Sequence, residues 1–280
     1  MQDAFAYCAE LVRGADRDRY LATLFAPASR RGALCALYAF DVEIRRVREV
    51  AREPLPGEIR LQWWTEVLSG ERREEASANP VAAALRAAIA QHGLAVARLL
   101  DLIEAHRFDL YEEPMASVAD LERYAKQTSS AFFALAAQIL GGEAAAAGLA
   151  AEPAGIADTM VRLMTAFPLH AARGQLYVPR EILDRHEVTP HQIFTGQSSP
   201  ALNAALGELG DLARRKLAVA GEHVTALSGA VLPAFLPLAP VRAALDRLER
   251  GDAFTPAELA AWRRQWLIWR ASRGPARIAG

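Results

Sequence analysis

Charged residues recur at every fourth position in the segment that contains Asp41, Arg45 and Glu49. On a helix this spacing places the three side chains on one face, where they can form a ladder of ion pairs. Each pair on a solvated face contributes about 0.3–0.5 kcal/mol. Taken without further context, the spacing favours this ladder over a binding site. A second acidic group is typical of a solvated face and comprises Asp101, Glu104, Asp109, Glu112 and Glu113.

Other reactive residue types follow no pattern that indicates catalysis. No two histidines share the spacing of metal ligands on a common face, and a lone His170 in an apolar segment is typical of a core or surface residue. Cys8 and Cys35 have no metal-like spacing, so we expect free thiols in a reducing, cytoplasmic compartment. The chain has no glycine-rich phosphate loop and no nucleophile elbow.

Composition places the chain among ordinary soluble globular proteins. Of its 280 residues, 52% are hydrophobic and 23% charged, and the formal net charge is −1. A near-neutral charge gives no electrostatic footprint for nucleic acid. The most apolar stretch, 229–245, is shorter than the ~20 residues that span a bilayer and contains three prolines. The sequence therefore predicts no nucleic-acid partner and no transmembrane segment.

Apolar residues recur with helical spacing along the whole chain, and no run shows the strict alternation of a half-buried strand. The predicted helices are 29–50, with Ser29 as N-cap, 57–69, 80–91, 95–111, 118–140, 153–172, 201–227, 233–250 and 256–272. Residues 173–200 are the least regular and could form a lid or a docking loop. Because no long linker divides the chain, we expect one all-α domain over residues 1–280.

Several blocks of the sequence resemble squalene and phytoene synthases. Residues 20–40 are similar to the N-terminal signature of that family, in which a proline and paired arginines precede a Leu-Tyr-Ala-Phe run. Further blocks agree in order and spacing at 107–110, 173–179, 233–237 and 245–248. The resemblance implies the fold of trans-isoprenyl diphosphate synthases, a single-domain helical bundle around a central cavity.

The family's two aspartate motifs are degenerate in this chain. Family enzymes hold prenyl diphosphates through magnesium ions bridged to both motifs, and Mg²⁺ requires such oxygen ligands. Aligned positions of the first motif are Arg45, Arg46 and Glu49, and those of the second are Ala166 and His170. A guanidinium about 5 Å from a divalent ion costs roughly 7 kcal/mol at an effective dielectric constant near 20. We therefore expect no catalytic residues, no metal site and no cofactor.

The run at 39–44, with 60–64 and 79–80, is more similar to the branch that includes the mitochondrial respiratory complex I assembly factor. Members of that branch also lack the aspartate motifs, so the resemblance implies a non-catalytic bacterial protein. We expect a binding or assembly factor, with a respiratory-complex subunit as partner, at the cytoplasmic side of the inner membrane. The alternative is an active head-to-head prenyltransferase with displaced ligands and Mg²⁺.

A retained cavity would accept an isoprenoid or lipid with an anionic head group. The candidate ligand-binding residues are Arg31, Tyr38, Phe40, Arg45, Arg46, Asp109, Arg173 and Tyr177. A third hypothesis is a peripheral membrane protein that uses the apolar residues 232–238 as its contact.

Overall fold

All regular secondary structure in the computed structural model is helical, and residues 2–51, 53–111, 113–255 and 257–278 are described. The α-helices are α1 (Gln2–Ala15), α2 (Arg17–Thr23), α3 (Ala28–Val50), α4 (Pro54–Ser69), α5 (Arg73–Ala78), α6 (Pro80–His92), α7 (Val96–Arg107), α8 (Val118–Ala125), α9 (Ala131–Ile139), α10 (Ala144–Thr165), α11 (Phe167–Ala172), α12 (Arg180–Arg185), α13 (Pro190–Phe194), α14 (Pro200–Thr225), α15 (Val241–Arg250) and α16 (Ala261–Ala271). The predicted all-α fold class is confirmed. None of the helices in these ranges has the length and apolar character needed to cross a membrane.

Helix boundaries follow local chemistry where the capping residues are clear. The side chain of Asn79 accepts a hydrogen bond from the backbone N–H of Ala82 at 3.0 Å, and α6 begins at the next residue, Pro80. Gly93, with a positive φ of 62°, ends the same helix. At α8, Ser117 and Asp120 form a capping box.

Several predicted boundaries are wrong, and prolines explain most of them. The predicted helix 153–172 begins earlier, at Ala144, and breaks at Ala166, because Pro168 in the first turn of α11 cannot continue the ladder of hydrogen bonds. The predicted helix 233–250 is reduced to α15, preceded by 3₁₀ turns at Leu232–Ala234 and Leu236–Leu238. Helix α3 begins after Pro27 rather than at a Ser29 cap, and α1 and α2 were not predicted. The start predicted at Pro256 lies outside the described residues.

The predicted membrane contact at 232–238 is also wrong. The residues of both 3₁₀ turns are buried in the core. An apolar segment that is already covered by the protein cannot present itself to lipid.

Helices α3 and α10 form the centre of the bundle. Helix α3 is buried on all sides from Ala33 to Val42, and α10 from Pro153 to Val161. Helix α10 packs mainly on α14 and α9, and α3 mainly on α1 and α6. Many of the central residues are alanine, which lets the helix axes approach closely. One hydrophobic core extends from Ala4 to Ile278.

A π-helical turn, Lys126–Ser130, joins α8 to α9 and faces α10. The Ser130 hydroxyl donates to the backbone oxygen of Glu152 at 2.9 Å, and the Thr159 hydroxyl donates to Ser129 Oγ at the same distance. At Gly155, a Cβ atom would lie 2.1 Å from the backbone nitrogen of Ser130. Only glycine allows this close approach of the two backbones.

We expect the substitution Gly155→Ala to lower the free energy of unfolding by at least about 2 kcal/mol, because backbone must move to admit the methyl group. The matched control is Gly148→Ala on the same helix, where the Cβ meets open space and helix propensity gives a gain of up to about 1 kcal/mol. Urea denaturation measures both. A Gly155→Ala variant as stable as the unaltered chain would contradict the close approach.

Candidate functional site

The carboxylate of Asp41 lies in the interior between two guanidinium groups. Its side chain projects from α3 and is 3% exposed. Its Oδ2 atom accepts a hydrogen bond from Arg19 Nη1 of α2 and pairs with Arg45 Nε, one turn further along α3, at 2.8 Å. Burial would raise the pKa of Asp41, but Arg45 and Arg19 outweigh burial and hold the pKa well below its usual range.

Asp16 provides a second carboxylate for the same arginines. Its side chain caps α2 by accepting from the backbone N–H of Arg19 at 3.2 Å. It also accepts from Arg45 Nη2 at 3.2 Å. Arg45 therefore bridges Asp41 and Asp16 and fixes the start of α2 against α3. The pKa of Asp16 is lowered because Arg19 and Arg45 together outweigh the effect of burial.

Helix α10 adds one further aspartate and one further arginine. Arg162 Nη1 lies 3.6 Å from Asp158 Oδ2, and the Arg162 side chain is 39% exposed. The interior ion-pair cluster consists of Arg19, Arg45, Arg162, Asp16, Asp41 and Asp158. Its three cations and three anions balance each other.

Aromatic rings cover the guanidinium of Arg19. Its Cζ atom lies 5.2 Å from the ring centre of Tyr38 and 5.3 Å from that of Phe132. The electron-rich faces of these rings attract a cation. The guanidinium of Arg19 therefore contacts two aromatic rings as well as the carboxylate of Asp41.

A second polar group surrounds Asp109, which lies in the 3₁₀ turn Phe108–Leu110 after α7. Its carboxylate accepts from the Tyr177 hydroxyl at 2.8 Å and the Tyr124 hydroxyl at 3.1 Å, and lies 2.6 Å from His106 Nδ1. Burial, and then the charge of Asp109, raise the pKa of both phenols, so they remain neutral donors. We call these four residues the Asp109 group.

His170 packs against the Asp109 group. Its ring centre lies 4.7 Å from that of Tyr177. Burial is the main reason that the pKa of His170 falls to about 4, so the imidazole is neutral at pH 7.

The structure separates the candidate ligand-binding residues into four sets. Asp109 and Tyr177 belong to the Asp109 group, and Tyr38 and Arg45 adjoin Arg19. Phe40 is buried and packs against Trp64 with ring centres 5.1 Å apart. The remaining candidates lie at the surface: Arg31, whose guanidinium donates to the backbone oxygens of Ala26 and Leu24, Arg46, Arg173, and Glu49 of the degenerate first motif. Ala166 lies at the break between α10 and α11.

Four of the six residues in the interior ion-pair cluster were not identified from the sequence. Asp16 and Arg19 lie in a segment where no helix was predicted, and 22 positions separate Arg19 from Asp41. Asp158 and Arg162, by contrast, have the spacing of four that signals an ion pair on a helix, and this signal was available.

These residues do not fit a magnesium cluster. The oxygens of Asp41 and Asp16 that face the first-motif position already bind guanidinium nitrogens, and at the second-motif position Ala166 and His170 supply no carboxylate. Within the described ranges, no group of three or more His, Cys, Asp or Glu side chains is arranged to hold a metal ion.

A pocket of about 960 Å³ lies elsewhere, between α7, α9, α10 and α14. Its walls include Ala134, Ile156 and Val219, and its rim carries Lys126 and Lys216. None of the candidate ligand-binding residues lines it.

The matches to known proteins extend over nearly the whole chain. The family model for squalene/phytoene synthase matches residues 12–270. A rat protein named NADH dehydrogenase (ubiquinone) complex I, assembly factor 6, is 28% identical over 250 residues, which cover 89% of this chain and 75% of the relative. A 15-cis-phytoene synthase from Synechococcus elongatus is 23% identical over 287 residues, covering 94% of this chain and 91% of that protein. The resemblances stated from the sequence are confirmed.

Solved structures share the fold. A dehydrosqualene synthase in complex with ligand has a TM-score of 0.81 at 17% identity, over 97% of this chain and 96% of that one. A squalene synthase from Alicyclobacillus acidocaldarius has a TM-score of 0.70 at 21% identity, over 98% and 95% of the two chains. The predicted isoprenoid synthase-like architecture is therefore confirmed.

We expect Asp41→Asn to lower the free energy of unfolding by about 3–5 kcal/mol, because the buried guanidinium of Arg19 and the partly buried one of Arg45 lose the charge that compensates them. The control is Glu152→Gln, which removes one carboxylate from an exposed pair with Lys126 and is expected to cost less than about 1 kcal/mol. Chemical denaturation at neutral pH compares the two. Equal effects would show that the interior cluster does not depend on the Asp41 charge.

Proposed function

Because the chain belongs to the squalene/phytoene synthase family, we propose that it is a non-catalytic member that acts as an assembly factor for a respiratory complex. The observation that carries the proposal is the position of Arg45. Its guanidinium bridges Asp41 and Asp16 at the place where the family's first aspartate motif would hold magnesium.

Electrostatics supports the absence of magnesium-dependent chemistry. A divalent ion at the first-motif position would meet the guanidinium of Arg45, and at about 5 Å the repulsion is roughly 7 kcal/mol at an effective dielectric constant near 20. If Arg45 moved away, the buried carboxylate of Asp41 would lose one of its two partners and Asp16 would lose its contact with Arg45, which also costs free energy. Both the repulsion by Arg45 and the displacement of Arg45 therefore disfavour binding of a divalent ion.

The assembly role draws its support from the relatives. The rat protein, with 28% identity over most of this chain, carries the name of a complex I assembly factor. Human and bovine proteins of the same name are each 27% identical over 246 residues. In our proposal the chain is a bacterial counterpart, its partner is a respiratory-complex subunit, and it works at the cytoplasmic face of the inner membrane.

The proposal includes an isoprenoid or lipid ligand with an anionic head group. Each of the other cations in the interior ion-pair cluster has a carboxylate oxygen within 3 Å, whereas the carboxylate contact of Arg162 is 3.6 Å long and its side chain is the most exposed of the three. Arg45 is engaged by two aspartates, and Arg46 lies at the surface. Arg162 is therefore the cation best placed to receive an anionic oxygen.

The proposed role predicts that deletion of the gene in its host lowers the amount of assembled NADH:quinone oxidoreductase, measured on native gels together with NADH oxidation by membranes. Expression of the unaltered chain restores both quantities. The isoprenoid content of the same cells is the control. Loss of a C30 or C40 isoprenoid with normal complex I would overturn the proposal in favour of the active prenyltransferase.

Purified protein gives a second, biochemical prediction. With farnesyl or geranylgeranyl diphosphate and Mg²⁺, we expect no sustained release of pyrophosphate. With the same diphosphates in EDTA, we expect a raised melting temperature, because a ligand that binds only the folded state stabilises it. The Arg162→Gln variant should lose this shift, whereas Arg86→Gln, a half-buried arginine on α6, should keep it. Sustained pyrophosphate release would contradict the non-catalytic role. An unchanged melting temperature at ligand excess would contradict the proposed isoprenoid ligand.

A further inference from the structure

Helix α16 has apolar residues on two opposite faces. Leu267, Ile268 and Ala271 are buried against the core. Trp262, Trp266 and Trp269 are exposed by 70%, 49% and 47%. At 100° per residue, the three tryptophans fall within an arc of about 60°, and the centre of that arc lies opposite the buried face. We call these three residues the tryptophan ridge.

Such a ridge differs from the scattered exposed apolar residues of any protein surface. Single exposed apolar side chains are normal, but a contiguous row of large ones marks a place where another surface binds. The side on which the helix is anchored is already fixed, because Arg264 Nε donates to the Asp18 carboxylate of α2 at 3.0 Å. Rotation of α16 to bury the ridge would break this pair.

Positive charge accompanies the ridge. Between residues 261 and 278 the chain has five arginines and no acidic residue. The guanidinium of Arg270 lies 5.1 Å from the ring centre of Trp266, and that of Arg273 lies 4.3 Å from the ring centre of Trp269. These cation–π contacts hold the two charges beside the rings. The tryptophan ridge therefore has positively charged groups directly beside its large apolar rings.

This combination matches the surface of an anionic lipid bilayer. Tryptophan is enriched at the membrane–water boundary, where its apolar body meets acyl chains and its N–H meets the head groups. Arginines beside it attract lipid phosphates. With 11 residues, α16 is only about 16 Å long, so it is too short to cross a hydrocarbon core of about 30 Å and suits a position in the plane of the interface.

We propose that α16 is a membrane-docking helix, which places the tryptophan ridge in the head-group layer of an anionic bilayer with Arg270 and Arg273 at the phosphates. This contact is independent of the proposed assembly function, since it requires neither a catalytic site nor a respiratory partner. It also differs from the contact at residues 232–238, which the structure buries in the core.

Co-sedimentation of the full chain with phosphatidylcholine vesicles, with and without phosphatidylglycerol, tests the proposal. We expect binding to the anionic vesicles that weakens with salt. The W262S/W266S/W269S variant should lower the partition coefficient at least about tenfold. The R270Q/R273Q variant should lower it by about tenfold on anionic vesicles and leave the weak binding to neutral vesicles unchanged.

The matched control is V50S/L55S/I59S, which removes three comparably exposed apolar side chains, at 57%, 69% and 63%, from α3 and α4. It should bind as the unaltered chain does. Circular dichroism checks that each variant is folded. If the tryptophan variant does not fold, quenching of the unaltered protein's fluorescence by brominated phospholipid gives the answer, and we expect quenching on anionic vesicles.

Three results would overturn the proposal. The first is failure of the unaltered chain to sediment with anionic vesicles or to be quenched. The second is full binding by a folded tryptophan variant. The third is a stable dimer that the tryptophan variant converts to a monomer, with no lipid binding by either, which would assign the ridge to a second copy of the chain.

Discussion

The pairing of Asp41 with Arg19 and Arg45 is the interaction on which the centre of this molecule depends. A buried carboxylate is tolerated only when a positive charge compensates it, and in this chain side chains supply that charge. Because one of the two arginines lies on α2 and the other on α3, the same contact joins the two helices. Arg45 extends the connection to Asp16 at the start of α2. The charges of the interior are thus balanced by side chains of the protein itself.

The packing around this cluster leaves little freedom. The π-helical turn between α8 and α9 touches α10 through Ser130 and Gly155, and α10 carries Asp158 and Arg162 one to two turns beyond that contact. Where the family has its second aspartate motif, α10 ends at Thr165 and α11 begins under the influence of Pro168. The interruption therefore accompanies the loss of both carboxylates. In the Asp109 group, two neutral tyrosines donate hydrogen bonds to the Asp109 carboxylate.

The two proposals concern different parts of the molecule and meet in one picture. An interior in which the guanidinium of Arg45 pairs with Asp41 and Asp16 suits the proposed role, in which the protein binds rather than catalyses. A ridge of tryptophans flanked by arginines on α16 suits a protein that works on the surface of a membrane. Respiratory complexes are embedded in such membranes, so a factor that assists their assembly gains from a surface that concentrates it there.

The sequence by itself determined the all-α class, because helical spacing of apolar residues is a local property, and it determined the family, because the signature at 20–40 and the block at 173–179 are contiguous in the chain. It also predicted that Arg45 and Arg46 occupy aspartate positions of the family's first motif. Only the tertiary structure decided that Arg45 turns inward to Asp41 and Asp16 while Arg46 remains at the surface, since the partners of a buried charge come from segments distant in the chain. Likewise, α16 is apolar on two faces, and periodicity cannot tell which face meets the core. In the structure Leu267, Ile268 and Ala271 meet the core, and Arg264 pairs with Asp18, which lies 246 positions away in the chain.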